Sequence, residues 1–254
     1  MRTITYSDNY ELVINGERVK LPINTTSQSG CYVEILEALG RELVAMLSIH
    51  NKVLVIRFDI HLYEHTNDNR KITEFLKPFR RWIERQYHNS ELGYLWVREH
   101  DTAKHQHYHV VVIVDGNKAK SSYKIIERAE HIASIKDFHI GRCKQAHTMV
   151  KRGDIDAFSK VFYRTSYLAK ERTKAYGKGQ NANNYSASRI TANADKLPLV
   201  MPQFNRPVLE LTLCEPMPPK KTRVKPLTNR RPVSRRLSSA VNDAQLQLEL
   251  FAVA

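Results

Sequence analysis

The sequence predicts an α+β fold in which a central antiparallel sheet is flanked by helices. Helical and strand patterns alternate irregularly along the chain, without the steady strand–helix–strand repeat that builds a parallel sheet. Two neighbouring strand patterns, at 93–99 and 107–115, are close enough to form an antiparallel hairpin. With 254 residues, of which 42% are hydrophobic, the chain is long and apolar enough to bury a core of this kind.

The first elements are a β-like arm, a helix and a strand. Residues 1–29 contain a short apolar run followed by Asn15-Gly16, a dipeptide typical of a tight turn between two strands. Apolar residues recur at three- and four-residue steps over 31–48, which predicts an amphipathic helix. Residues 52–63 are rich in β-branched and aromatic side chains, so they predict a strand that is partly buried on both faces.

The same patterns continue along the rest of the chain. Helical spacing returns over 71–88, where Pro78 is expected to kink the helix or to mark a new start. Residues 186–200 fit neither pattern clearly. Further helices are predicted at 123–135 and 154–175, and further strands at 93–99, 107–115 and 138–149.

Positive charge is concentrated near the C-terminus. Residues 216–236 carry eight lysines and arginines, five prolines and no acidic residue, a composition that cannot bury enough apolar surface to fold alone. This segment predicts either an extended tail that lies along phosphates or a solvated tail without a specific role. The chain thus divides into an N-terminal arm and helix (1–49), a central domain (50–200) and a basic, proline-rich tail with a short C-terminal helix (201–254).

The overall charge indicates a polyanionic partner. The chain carries 40 Lys and Arg residues against 26 acids, a formal net charge of +14. Nucleic acid is the usual partner of such a protein, although a basic soluble protein without one has the same composition. No signal peptide or membrane span is predicted. The widely spaced cysteines 31, 143 and 214 indicate thiols in a reducing compartment, so we expect a cytoplasmic protein with no membrane partner.

A candidate metal site lies on the predicted hairpin. Strand alternation places His107 and His109 on one face, where two imidazoles can share a metal ion. If Glu99 pairs with His107, a carboxylate joins them at the same end of the sheet. This set suits Mg²⁺ or Mn²⁺ acting on phosphate oxygens and would also accept Zn²⁺, whereas histidines that only pack are the alternative. Two histidines of the connecting loop are less favoured ligands, His100 and His105.

A second cluster lies on the predicted helix at 154–175. Tyr163, Tyr167, Lys170 and Lys174 follow steps of four, three and four residues, so they share one stripe about 60° wide. The apolar residues of this helix centre on the opposite side: Ile155, Phe158, Phe162 and Ala169. Because another face is available for packing, the tyrosines are available for chemistry, and packing is an equal alternative.

These two clusters suit nucleophilic attack on a phosphodiester. A tyrosine phenol has a pKa of about 10 and is a weak nucleophile at neutral pH. A metal ion on the phosphate withdraws charge and orients it, and a nearby lysine stabilises phenolate and phosphate charge. The product is a covalent phosphotyrosine that keeps the energy of the broken bond, and a second tyrosine one turn away allows a second transfer.

The same residues resemble two motifs of the HUH endonuclease superfamily. Residues 107–109 (HYH) are similar to its histidine–hydrophobic–histidine motif, and residues 163–170 (YRTSYLAK) are similar to its two-tyrosine signature, Y-x-x-x-Y-x-x-K. This form is typical of rolling-circle replication initiators. The local sequence is most similar to inovirus-type replication proteins of filamentous phages and prophages. The resemblance covers roughly residues 50–180, with the two motifs in the family's order.

The resemblance implies a HUH-type nuclease fold, with the histidine pair on a middle strand and the tyrosine helix across the metal. It implies two groups of site residues, namely catalytic Tyr163, Tyr167 and Lys170, and metal-binding His107, His109 and Glu99. The family's first motif is only loosely matched by 53–63, and no site residue is predicted there. No helicase motif follows, so a separate helicase is implied as a partner beside single-stranded or origin DNA.

The expected function is therefore a metal-dependent enzyme that nicks and rejoins single-stranded DNA to initiate rolling-circle replication. A transposase or relaxase of the same superfamily is the nearest alternative. A non-catalytic DNA-binding regulator, dominated by its basic tail, is another. A metal-dependent nuclease that hydrolyses DNA with water is a third. Only tyrosine chemistry leaves DNA covalently attached to the protein.

Overall fold

The computed structural model describes residues 3–14, 16–88, 90–99, 106–171, 183–193 and 196. Its elements are β1 (Ile4–Thr5), β2 (Asn9–Ile14), β3 (Glu17–Pro22), β4 (Cys31–Tyr32), α1 (Val33–Ile49), β5 (Lys52–Leu62), α2 (Arg70–Gln86), β6 (Gly93–Glu99), β7 (His107–Asp115), α3 (Tyr123–Ile135), β8 (Phe138–Lys151), α4 (Ile155–Thr165), a 3₁₀ turn (Ser166–Ala169) and β9 (Tyr185–Ala187).

Five of these strands form one antiparallel sheet in the order β8-β5-β7-β6-β9. The predicted α+β class with a central antiparallel sheet is therefore confirmed. The middle strand, β7, is buried along its whole length and pairs with β5 on one side and β6 on the other. A one-residue slip of this strand would exchange its two buried faces, so the pairing register is strongly fixed.

The two faces of the sheet pack against different helices. One face carries Val97 and Val111 and packs against α1 and α4. His109 lies on this same face, because it pairs with Val97 of the neighbouring strand. The other face carries Phe58 and Val110 and packs against α2 and α3. Two apolar layers thus enclose the sheet, which leaves its strand ends as the places where polar groups can gather.

The predicted helices at 31–48 and 123–135 are confirmed as α1 and α3. The helix predicted at 71–88 is α2, and it runs through Pro78 without a new start. Phe75 and Phe79 lie on either side of this proline, are fully buried, and stack with their ring centroids 5.4 Å apart. Their burial offsets the backbone hydrogen bond that the proline removes.

The helix predicted at 154–175 is shorter than expected, because α4 ends at Thr165 and a 3₁₀ turn follows. The Thr165 hydroxyl donates to the carbonyl of Val161 at 2.7 Å, and the Ser166 hydroxyl donates to that of Tyr163 at 2.7 Å. Hydroxyls that bond backbone carbonyls in this way compete with the helical pattern. Lys170 consequently lies beyond the helix, in a β-bridge with Cys31.

Other predictions of the tyrosine helix differ in their outcome. Its predicted apolar face is confirmed, because Phe158, Phe162 and Ala169 are buried and Ile155 is half-buried against the same core. The predicted stripe is wrong for Lys170, which is not helical, and Lys174 lies outside the described residues.

At the start of α4, the Asp154 side chain accepts a hydrogen bond from the N–H of Ala157 at 2.9 Å, an N-cap that fixes where the helix begins.

The N-terminal arm is the predicted hairpin of β2 and β3, with Gly16 at a φ of +82° in the turn. The arm packs on α4, where the rings of Tyr10 and Phe162 stack 6.1 Å apart. The short strand β9 covers the start of the ambiguous stretch 186–200. The basic tail, the predicted C-terminal helix and the predicted boundary at 200/201 lie outside the residues described here. None of the described helices is long and apolar enough to span a membrane.

One buried carboxylate ties α1 to the segment after β9. Glu42 is 3% exposed, accepts a hydrogen bond from the Ser188 hydroxyl, and accepts another from the N–H of Arg189 at 2.5 Å. Glu42→Ala leaves both donors without this acceptor, so we expect it to lower the free energy of unfolding by about 2–3 kcal/mol. Urea unfolding measures this change, with Glu37→Ala on the exposed side of α1 as the control. Equal midpoints for the two variants would contradict the prediction.

Candidate functional site

The β6–β7 hairpin brings a carboxylate and two imidazoles together, with the predicted register. Glu99 pairs with His107 and Val97 pairs with His109, which places Glu99 and both histidines at one end of the sheet. Nε2 of His107 lies 3.2 Å from Oε2 of Glu99, and Nε2 of His109 contacts the same oxygen. The ligand atoms of these three residues, which we call the triad, lie within 4.8 Å of one another, so the triad could bind a metal ion.

A second carboxylate holds the ring of His109 from its other side. Asp59 on β5 pairs with His109, and its Oδ1 lies 2.7 Å from Nδ1 of that ring. In a neutral ring with Nδ1 donating its proton to this carboxylate, Nε2 carries the lone pair that a metal ion would use. That is the tautomer required of a metal ligand, and a carboxylate behind a ligating histidine is common in metal sites. Strand β5 therefore helps to orient the triad.

The electrostatics of the site favour a bound cation. Burial lowers the pKa of His109, but hydrogen bonds to Asp59 and Glu99 outweigh it and raise that pKa above its usual value. Burial raises the pKa of Asp59, but its hydrogen bond with His109 and the neighbouring positive charges together outweigh it and lower that pKa. Two carboxylates thus stabilise a positive charge on a buried imidazole. A divalent cation would supply positive charge at the same place, so these residues fit one.

His61 extends the group of imidazoles toward the edge strand β8. Its ring stacks on that of His107 with centroids 5.2 Å apart, and it lies 5.9 Å from the ring of His139. Burial, and then the neighbouring His107, lower the pKa of His61. Gly141 makes room for this ring, since a Cβ there would lie 2.8 Å from Nε2 of His61. The His61 ring therefore packs against His107, while Asp59 holds His109.

Polar side chains on the other face anchor the ends of β6 and β7. Arg98 is 1% exposed, and its Nη2 lies 3.1 Å from Oε1 of Gln106. Gln106 donates to the Tyr108 hydroxyl at 3.0 Å and accepts from the N–H of Thr66 at 2.9 Å. Arg98 and Gln106 each adjoin a triad residue in the chain. A buried and bonded network at this point fixes the backbone from which the triad projects.

The tyrosines lie where α4 passes into the 3₁₀ turn. The ring of Tyr167 is 37% exposed and meets that of His109 edge to face, with centroids 5.7 Å apart. Nζ of Lys170 lies 5.4 Å from the centroid of the Tyr167 ring. Tyr163, one turn earlier, is 44% exposed, and no ring contact joins it to the triad within the part of the chain described. Of the predicted catalytic residues, Tyr167 therefore contacts the triad, Lys170 lies against the Tyr167 ring, and Tyr163 lies one turn earlier.

Three residues of β5 were not predicted as site residues, although the strand carries a signal for them. Arg57, Asp59 and His61 are alternate residues in a strand whose other face is apolar. Burying polar groups in a central strand costs free energy unless they are bonded or functional. This alternation therefore indicates a site. The less favoured ligands in the connecting loop, His100 and His105, lie outside the described residues.

Asp59→Asn is expected to weaken metal binding by about 10- to 100-fold, the usual effect of removing a carboxylate behind a ligating histidine. The amide keeps the size of the side chain and an acceptor oxygen, but it removes the negative charge. Calorimetric titration with Mn²⁺ measures the dissociation constant. Asp156→Asn, on the exposed first turn of α4, is the matched loss of one charge away from the triad. An unchanged dissociation constant in Asp59→Asn would show that this carboxylate does not act on the metal site.

One known protein family matches part of the chain. The YagK/YfjJ C-terminal domain family matches residues 16–137, just under half of the sequence. No curated protein and no solved structure matches the chain significantly. The matched segment runs from the N-terminal hairpin to the end of α3, so it contains the triad and ends before the tyrosine helix. The chain is thus similar to this family over the half that carries the candidate metal centre.

Proposed function

We propose that the protein is a metal-dependent enzyme that cuts and rejoins single-stranded DNA through a covalent phosphotyrosine, and that it initiates rolling-circle replication. The observation that carries the proposal is the contact between the ring of Tyr167 and His109 of the triad. A half-exposed phenol beside a group that could hold a metal is the pairing that tyrosine attack on a phosphodiester needs. The resemblance of both segments to HUH motifs supports the same chemistry.

The triad would hold the cation, and Mg²⁺ or Mn²⁺ is the proposed one. Once bound there, such an ion supplies charge neutralisation and orientation of the scissile phosphate. The task of Asp59 would be to hold the proton of His109 on Nδ1, so that Nε2 is the nitrogen that could bind the ion. The His61 ring, stacked on His107, fixes the second imidazole. The triad therefore positions the phosphate, and the nucleophile comes from a different element.

The proposed cut uses the phenol as the nucleophile and needs no water molecule. The Tyr167 oxygen forms a bond to phosphorus while the bond between phosphorus and the 3′ oxygen breaks. The phenol proton is lost to solvent through the exposed side of the ring, and the leaving oxygen takes up a proton to become a 3′ hydroxyl. Lys170, whose Nζ lies near the same ring, stabilises the negative charge on the phenol and phosphate oxygens. The products are a 5′ phosphotyrosine and a 3′ primer end.

The second tyrosine explains how the cycle closes. After synthesis from the 3′ hydroxyl, Tyr163 attacks the regenerated origin in the same way and releases a new 3′ hydroxyl. That hydroxyl attacks the first phosphotyrosine, which frees Tyr167 and joins the ends into a circle. Each step exchanges one phosphodiester for another, so no external energy source is required. Separation of the strands during synthesis is assigned to a separate helicase.

A denaturing gel tests the proposal and separates it from its rivals. The full chain is incubated with a pool of labelled single-stranded oligonucleotides and Mn²⁺, with EDTA in a parallel sample. We expect a labelled band that migrates with the protein, depends on the metal and disappears after protease treatment. Cut DNA without attached protein would instead indicate hydrolysis by water. Binding in a native gel without any cutting would indicate a non-catalytic DNA-binding protein, and either result contradicts the proposal.

A further inference from the structure

Two cations lie against the ring of Tyr167. Cζ of Arg57 is 4.8 Å from the ring centroid, and Nζ of Lys170 is 5.4 Å from it. Both distances are within the range at which an aromatic face attracts a cation. The ring of His109 contacts the same tyrosine edge to face. Three contacts to one half-exposed ring restrict its orientation at the candidate metal centre.

Arg57 is itself held firmly, because it comes from the middle of β5. It pairs with Val111 of β7. On the other side of β5, the pairing with β8 shifts register between Ile56 and Phe58, so no residue of β8 pairs directly with Arg57. Its Nη2 lies 3.9 Å from Oδ1 of Asp59, the carboxylate behind the triad. Its Nε is buried and makes no hydrogen bond within the part of the chain described here, so this guanidinium keeps donor capacity beside the phenol.

The two tyrosines differ in this respect. Tyr163 is more exposed than Tyr167, and within the described ranges neither a cation nor an aromatic ring contacts it. In-line attack requires the nucleophile to be held within about 3–3.5 Å of phosphorus, so a restrained phenol reacts more readily than one that must first be ordered. The asymmetry in contacts therefore predicts an asymmetry in reactivity.

We infer that Arg57 is a positioning residue that orients Tyr167 for the first cut, while Tyr163 serves the second transfer. This inference rests on the proposed function, because it assigns an order to the two nucleophiles of that reaction. The guanidinium is suited to the task, since it is planar, always charged and able to stack on a ring while it donates hydrogen bonds. A lysine at the same position would keep the charge but lose the stacked plane.

The test compares Arg57→Gln in two backgrounds, each with one tyrosine left. In Tyr163→Phe only Tyr167 can attack, and we expect the added Arg57→Gln to slow single-turnover cutting by about 10- to 100-fold. In Tyr167→Phe only Tyr163 can attack, and we expect the same change to slow cutting by less than about threefold, because Arg57 then has no phenol to orient and its effect depends on Tyr167. Arg57→Lys should recover part of the rate in the first background. The control is Arg81→Gln, on the exposed side of α2, which packs against the other face of the sheet.

Three outcomes would overturn the inference. Equal losses in both backgrounds would mean that Arg57 acts on the phosphate, the metal site or the fold rather than through Tyr167. No loss in either background would mean that the ring contact has no catalytic effect. A wild-type chain that forms no adduct would remove the proposed function as well, so the wild-type lane distinguishes the failure of that function from a failure of the inference alone.

Discussion

Replacement of both Tyr163 and Tyr167 by phenylalanine is expected to reduce formation of the covalent protein–DNA adduct by at least about 1,000-fold, which is the scale on which losing the nucleophile acts. Phenylalanine keeps the ring, and therefore its packing against His109, but it removes the oxygen that bonds to phosphorus. DNA binding should be preserved, because phosphate contacts come from basic residues and not from the phenols. The adduct is measured on a denaturing gel, and binding is measured in a native gel.

Each single change should have a smaller effect on the first cut than the double change. Either single variant is expected to keep partial nicking and to lose most of the closing transfer, which is followed by the yield of single-stranded circles. Tyr123→Phe, an exposed tyrosine at the start of α3, is the control. An adduct that survives in the double variant would show that a different residue is the nucleophile. Loss of activity from one single change, with none from the other, would contradict the two-nucleophile cycle.

The second large effect is expected at the triad. Changing both His107 and His109 to alanine removes two of the three proposed ligands, so we expect metal binding to be lost and cutting to fall by at least about 1,000-fold. The affinity for DNA should change by less than about threefold, because counterion release by basic side chains supplies most of it. EDTA should have the same effect on the wild-type chain, and added Mn²⁺ should reverse it.

The histidine prediction needs a control for folding, because both rings are nearly buried. His131→Ala, on the exposed side of α3, removes one imidazole away from the sheet and should cut normally. Circular dichroism should show the same secondary structure in the double variant as in the wild type. A folded double variant that cuts at the wild-type rate would show that the histidine pair is structural and would contradict the metal-dependent mechanism.

Much of the site could be predicted because it depends on strand alternation. Strand alternation along β7 places His107 and His109 on the same face. The short separation between β6 and β7 leaves few possible pairing registers. The pairing of Glu99 with His107 follows from that geometry, and the structure confirms it. The apolar face of the tyrosine helix could be predicted for the same reason, since its period is fixed by the helix.

Other parts depend on contacts between segments distant in the chain, which periodicity does not show. Asp59 and Arg57 lie about 50 and 110 residues before the groups they contact, His109 and Tyr167. Their strand looks like a core strand in the sequence, because its other face is wholly apolar. The end of α4 was also missed, since the hydroxyls of Thr165 and Ser166 favour the turn only through local backbone geometry.

Mass spectrometry of the trapped adduct identifies the nucleophilic residue directly. Trypsin cleaves after Lys160, Arg164 and Lys170, so the two tyrosines fall on separate peptides, 161–164 and 165–170. The adduct is formed by the wild-type chain with an oligonucleotide that carries one cut site, and its DNA is trimmed by nuclease before digestion. We predict a 5′-linked nucleotide mainly on the peptide with Tyr167 and, in Tyr167→Phe, on the peptide with Tyr163. A nucleotide attached to Tyr176 or Tyr185, or cut DNA with no peptide attached, would contradict the account.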